Sequence, residues 1–132
     1  IIRTAEVSGV DAIIIQNQSS DPINADTVKP SAGAVFNVPI CKVSHIKDAI
    51  YHLKSSEIMI VAANERSNKT IYDVTLKKPV ALIMGSEERG IAPSILKLSD
   101  EQVKLPMFGK IESLNVSVAC GILLYEVVRQ RI

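Results

Sequence analysis

Residues 80–90, VALIMGSEERG, pass from an apolar run into a turn of glycine and polar side chains. Residues 105–131, LPMFGKIESLNVSVACGILLYEVVRQR, make a second such passage and then enter a helix. Apolar residues at consecutive positions suit a strand covered on both faces, as in a parallel sheet, and residues 79–84 are the clearest such strand in the chain. Polar turns that follow strands are what an α/β protein uses to build a cleft at the carboxyl ends of its sheet. The first turn offers a carboxylate, Glu87, and the second a hydroxyl and an amide, Ser113 and Asn115. The pairing points to an enzyme rather than a scaffold.

Working outward, residues 11–15 (DAIII) and 58–63 (IMIVAA) read as further buried strands, the latter ending in the polar turn 64–67. Residues 39–43 make a weaker strand and 102–105 the last one. Ile46, Ala49, Ile50 and Leu53 occupy one face of a helix capped by Ser44. Residues 26–34 suggest a short helix made irregular by Pro30, after a polar loop at 16–24. Residues 92–98 suggest another, with Pro93 in its first turn. Residues 71–76 fit neither period. At the start, Ala5 and Glu6 favour helix, and Ser8-Gly9 supplies a left-handed stop. Strands alternating with helices at this spacing predict one α/β domain, a mostly parallel sheet flanked by helices. The longest helix, 115–129, is apolar nearly all round, so it is buried on several sides. One of those sides is expected to meet a second subunit in a homodimer.

The chain has 132 residues, 47% of them hydrophobic, which is enough for one domain with a packed core. Fifteen basic and 14 acidic residues leave a net charge of +1, weak for a nucleic-acid binder. An RNA-binding surface would then be local, assembled by dimerisation, or supplied by sequence outside the chain. The first residue is Ile1 rather than Met, and a fragment of a longer protein is expected. Apolar runs break well short of the ~20 residues that span a bilayer, and no charged leader precedes a cleavage site. Cys41 and Cys120 read as free thiols, and the expected location is the cytoplasm.

The common fingerprints are missing. Gly85-Ser-Glu-Glu-Arg-Gly90 lacks the central glycine of a dinucleotide-binding loop and the Gly-Lys-Ser/Thr ending of a P-loop. By itself it fits a strand-to-helix turn with solvated carboxylates. Glu87, nearer the strand end than Glu88 and Arg89, is the better hydrogen-bonding candidate. Of Ser113 and Asn115, one can take the N-cap of the last helix, leaving the other for a ligand. His45 and His52 lie seven apart, about 10 Å along a helix axis, too far to share a metal. No Cys/His cluster has zinc spacing, and no nucleophile elbow occurs, so no metal is expected. Arg3 alone reads as solvated.

Read together, Arg3-Thr-Ala5, Gly85-Ser-Glu-x-x-Gly90, and Leu105-Pro-Met107 with Ser113-Leu-Asn-Val-Ser-Val-Ala119 resemble the three motifs of the SPOUT superfamily of RNA methyltransferases. The resemblance is to its TrmH/SpoU branch of ribose 2′-O-methyltransferases, and most to members that methylate a guanosine of 23S rRNA. It covers essentially the whole chain in order. The family's first motif begins with an asparagine several residues before the arginine, a position upstream of Ile1. Residues 1–132 are thus expected to be a catalytic domain shortened at its N-terminus, without the first strand or any RNA-binding domain. The resemblance implies a C-terminal trefoil knot, S-adenosylmethionine bound within it, an RNA partner and a homodimer through the C-terminal helix region. It implies catalytic roles for Arg3, Glu87, Ser113 and Asn115. Cofactor binding falls to the backbone of Gly85, Leu105 and Leu114, with Ala63, Asn64 and Met107 nearby. A tRNA guanosine as substrate, and a non-catalytic RNA-binding module of the same fold, are the alternatives. The four retained polar residues argue against the latter.

Overall fold

In a computed structural model of the chain, residues 1–17, 37–86, 88–111 and 113–132 are described. They fall into two units, Ile1–Ala49 and Ile50–Ile132. The helix expected at 26–34 and most of the loop expected at 16–24 lie outside the described residues.

The first unit opens with α1 (Ile2–Val7), which buries Ala5. Its stop is the one the sequence predicts. Gly9 adopts φ +80°, the Gly9 N–H donates to Glu6 O at 3.1 Å, and the Val10 N–H donates to Ala5 O at 3.0 Å. These two bonds close a helix end around a left-handed residue. Strands β1 (Ile13–Gln16) and β2 (Ile40–Val43) pair in parallel, Ile13 opposite Ile40 and Gln16 opposite Val43.

Helix α2 (Ile46–Ser55) contains the division between the units. Its predicted face is the covered one: Ile50 is buried and Ile46, Ala49 and Leu53 half-buried, while Lys47, Asp48, Tyr51 and His52 are exposed. Ser44 does not cap it. The helix starts two residues later, and the Ser44 carbonyl accepts from Gln16 Nε2 at 3.2 Å. The helix ends with Glu57 at φ 63°, the Ile58 N–H donating to Leu53 O at 3.1 Å and the Glu57 N–H to Lys54 O at 3.0 Å.

In the second unit, β3 (Met59–Ala63), β4 (Lys69–Thr70), β5 (Val80–Ile83) and β6 (Glu101–Lys104) form a parallel sheet in the order β4-β6-β3-β5. The link from β5 to β6 therefore crosses β3, whose Ile60, Val61 and Ala62 are wholly buried. Residues 79–84 read as the clearest buried strand, yet β5 is half-buried along its length. The reason is position: among the described residues β5 pairs on one side only, and β3 takes the centre.

Val61, Ile71, Val74, Leu76, Val103 and Leu123 make the core, with Met59, Val80, Leu82, Leu105 and Val127 packed against it. Residues 71–76 fit neither period because they are a turn of 3-10 helix (Ile71–Asp73) followed by extended chain. Thr70 and Asp73 cap that turn reciprocally, and Ile71, Val74 and Leu76 point inward. Helix α3 (Pro93–Leu96) is short, with proline in its first turn. Helix α4 (Val116–Arg131) buries Cys120, Leu123 and Glu126. Its last turn grips the chain ahead of β5. Gln130 bonds both Leu76 N and Val74 O, and Arg131 donates to Leu76 O and Lys78 O.

Candidate functional site

Parallel strands deliver their carboxyl ends to one edge, and in the second unit that edge gathers the polar turns. β3 runs into Asn64, whose N–H donates to Val103 O at 2.8 Å and whose Nδ2 donates to Gln102 Oε1 at 3.0 Å, both on β6. Asn64 Oδ1 accepts from the Arg66 N–H at 3.1 Å, and Asn64 O from the Ser67 N–H at 2.9 Å. The turn at 64–67 is thus tied to the neighbouring strand, with Glu65 at its tip. β6 continues into Leu105, Pro106 and Met107. Between the two strand ends opens a cleft of about 300 Å³ lined by Glu65, Lys104, Leu105, Met107, Lys110 and Ile111. Its apolar wall and cationic rim suit a small ligand with a flat apolar part and polar substituents.

β5 ends at Gly85. A Cβ there would stand 2.6 Å from Ile91 N and 2.7 Å from Gly90 Cα, closer than atoms pack. The chain folds back on itself here: the Gly90 N–H donates to Ser86 O at 2.9 Å, the Arg89 N–H to Ser86 Oγ at 3.1 Å, and Gly90 takes φ +66°. The demand for glycine at 85 comes from this chain's own backbone. Glu87 lies outside the described residues.

At the start of α4 the structure chooses between the two candidate caps. Asn115 Oδ1 accepts from the Ser117 N–H at 2.8 Å and the Val118 N–H at 3.4 Å. Its Nδ2 has no partner among the described residues, which leaves two donors. Ser113 is exposed and its hydroxyl makes no hydrogen bond among the described residues. Leu114 is also exposed.

Among the residues proposed to hold a cofactor, Leu105 lines the cleft; Gly85 and Leu114 do not. Ser113, Leu114 and Asn115 share one segment ahead of α4. Arg3 belongs to the first unit, exposed in the first turn of α1 and without a side-chain partner among the described residues. Glu65, Lys104 and Lys110 went unassigned in the sequence, although Glu65 follows the end of a well-marked strand.

Two ionisable groups away from the cleft are perturbed. Burial pushes the Cys120 thiol up, which keeps it protonated and unreactive. The hydrogen bond from Arg129 holds the Glu126 carboxyl below its ordinary range. Among the described residues, no cluster of three or more His, Cys, Asp or Glu could hold a metal ion.

The chain is 38% identical over 130 residues to the 23S rRNA (guanosine-2′-O-)-methyltransferase RlmB of Yersinia pestis, covering 98% of this chain and 53% of that protein. It is 39% identical over 130 residues to an uncharacterized tRNA/rRNA methyltransferase of Archaeoglobus fulgidus, covering 98% and 58%. The chain spans about half the length of the curated relatives it matches. Among solved structures, the AdoMet-bound rRNA methyltransferase of Sinorhizobium meliloti superposes with a TM-score of 0.91 at 30% identity, covering 99% of this chain and 50% of that one. The model of the SpoU rRNA methylase family matches residues 1–125, a stretch that holds all three motif segments and every strand of both sheets. The chain belongs to the SpoU rRNA methylase family.

Proposed function

We propose that this chain is the catalytic domain of an RNA ribose 2′-O-methyltransferase that uses S-adenosylmethionine and acts on a guanosine of 23S rRNA. In this reading it works in the cytoplasm as a homodimer, and its C-terminal segment is threaded into a trefoil knot. The observation that carries it is the cleft at the carboxyl ends of β3 and β6, walled by the third motif's Leu105 and Met107, inside the family match. The residues fit the cofactor. Leu105, Met107 and Ile111 offer an apolar wall for adenine, and the peptide groups beyond the end of β6 can read its edge. A volume of about 300 Å³ meets the lower end of the roughly 300–1,000 Å³ range for small-ligand sites.

When bound, the cofactor supplies a methyl group already activated by its sulfonium. The acceptor is the harder partner, because a ribose hydroxyl is a very weak acid and its proton must leave as attack proceeds. A guanidinium donates and accepts nothing, so Arg3 acts as a donor, holding the adjacent RNA phosphate and stabilising the developing alkoxide as the hydroxyl proton passes to that phosphate or to water. Glu87 orients Arg3. Ser113 and Asn115 place the acceptor nucleotide, Asn115 through Nδ2, since Oδ1 is committed to the helix cap. Alignment of the reacting atoms supplies much of the rate.

The test is mass-spectrometric mapping of 2′-O-methylguanosine in ribosomal and transfer RNA from cells with and without the gene. One 23S rRNA position should lose its methyl group. Loss confined to tRNA would favour the second reading, which the tRNA/rRNA naming of the Archaeoglobus relative supports. No loss in either RNA overturns the proposal.

A further inference from the structure

We propose that Glu65 reads the ribose 2′,3′-diol of the adenosyl group in the cleft, a role that rests on the cofactor reading above. Among the side chains lining the cleft, Glu65 is the one that offers acceptor oxygens; Lys104 and Lys110 only donate, and Leu105, Met107 and Ile111 are apolar. Four other carboxylates of this unit are occupied. Glu101 accepts from Lys69 at 2.9 Å, Glu126 from Arg129 at 2.7 Å, Asp100 from the Ile60 N–H at 2.8 Å, and Asp73 from the Thr70 N–H at 2.9 Å. Glu65 has no such partner among the described residues. Its place is held by the bonds from Asn64 to β6, so it stands at the rim without being spent on the fold.

A carboxylate presents two acceptors side by side, the complement of two neighbouring hydroxyls, and hydrogen bonds to an ionised acceptor are the strong kind. With adenine against the apolar wall, the ribose is the part bonded directly to it and the first to reach the rim. The cofactor's own cationic groups are the rival target. Lys104 and Lys110 share the cleft and repel a further positive charge, whereas a neutral diol feels no such penalty.

Calorimetry on the full-length protein tests this with S-adenosylhomocysteine, which has no sulfonium, and with its 2′,3′-dideoxy analogue. Glu65→Ala and the near-isosteric Glu65→Gln should melt like the parent, because the side chain is exposed and unpaired. Glu65→Ala should weaken binding of S-adenosylhomocysteine about tenfold or more. The dideoxy analogue should bind the parent more weakly and lose nothing further in either variant, the mark of coupled partners. Equal weakening of both ligands, or no weakening, overturns the role of Glu65 while leaving the cofactor reading intact. A parent protein that binds neither S-adenosylmethionine nor S-adenosylhomocysteine overturns the cofactor reading and this inference with it.

Discussion

Asn115 serves two purposes through one amide: its oxygen closes the start of α4, and its nitrogen is left to work. The two can be separated. Aspartate caps as well as asparagine and suits the positive end of a helix, but it has no donors. Asn115→Asp should therefore hold its melting temperature while methyl transfer falls about 10²-fold, the usual effect of removing one aimed donor. Asn115→Ala should lose activity and also about 1 kcal/mol of stability. Melting curves and single-turnover methylation of RNA check both, and an Asn115→Asp protein with the parent rate would reduce the residue to a cap. That Ser113 or Asn115 would cap was legible in the sequence; which of them did was not, because the choice depends on the backbone angle at the helix start. Glu65 escaped notice for a similar reason. A lone glutamate after a strand is ordinary until a neighbouring strand end closes a cleft beside it.

Elements show where periodicity is informative and where it fails. In α2 the spacing of Ile46, Ala49, Ile50 and Leu53 named the covered face, since four residues one turn apart bury together whatever they meet. Its end carries a cost that spacing does not reveal: Glu57 sits in the left-handed region, at φ 63°, where a Cβ is unfavourable by about 1–2 kcal/mol. Glu57→Gly should raise stability by about 1 kcal/mol in urea unfolding, since glycine visits that region freely. In α4, Glu126 is 5% exposed and accepts bonds from Arg129 Nε and Nη2 and from Gln130 Nε2. Its folded pKa is lowered, first by the Arg129 bond, so protonation favours the unfolded chain. The stabilisation is full above the unfolded value of about 4.3 and is lost as pH falls through the lower folded value. Glu126→Gln should be less stable than the parent at neutral pH and flatter below about pH 5, as denaturant midpoints from pH 7 to pH 3 would show.

At the scale of the whole molecule, α4 leaves Val118, Ile122 and Tyr125 exposed along one line while Leu123, on the opposite side, is 1% exposed. That stripe is the surface through which the proposed homodimer would form. Ile122→Asp should yield a folded monomer in sedimentation equilibrium, because the change spares the core; an unchanged association state would move the interface elsewhere. No helix among the described residues is long and apolar enough to cross a membrane. The linear pattern of residues by itself determined the alternation of strands and helices, the faces of α2, the left-handed stop at Gly9 and the three motif segments. These depend on neighbours within a few positions, whose geometry is the same in any chain. Tertiary structure alone decided that β3 rather than β5 holds the centre, that Gly85 is required by the returning backbone of Gly90, and that Glu65 faces Leu105 and Met107 across a cleft. Each of those depends on which strand lies beside which, and lateral order is set by the packing of segments far apart in the chain, which no local period records.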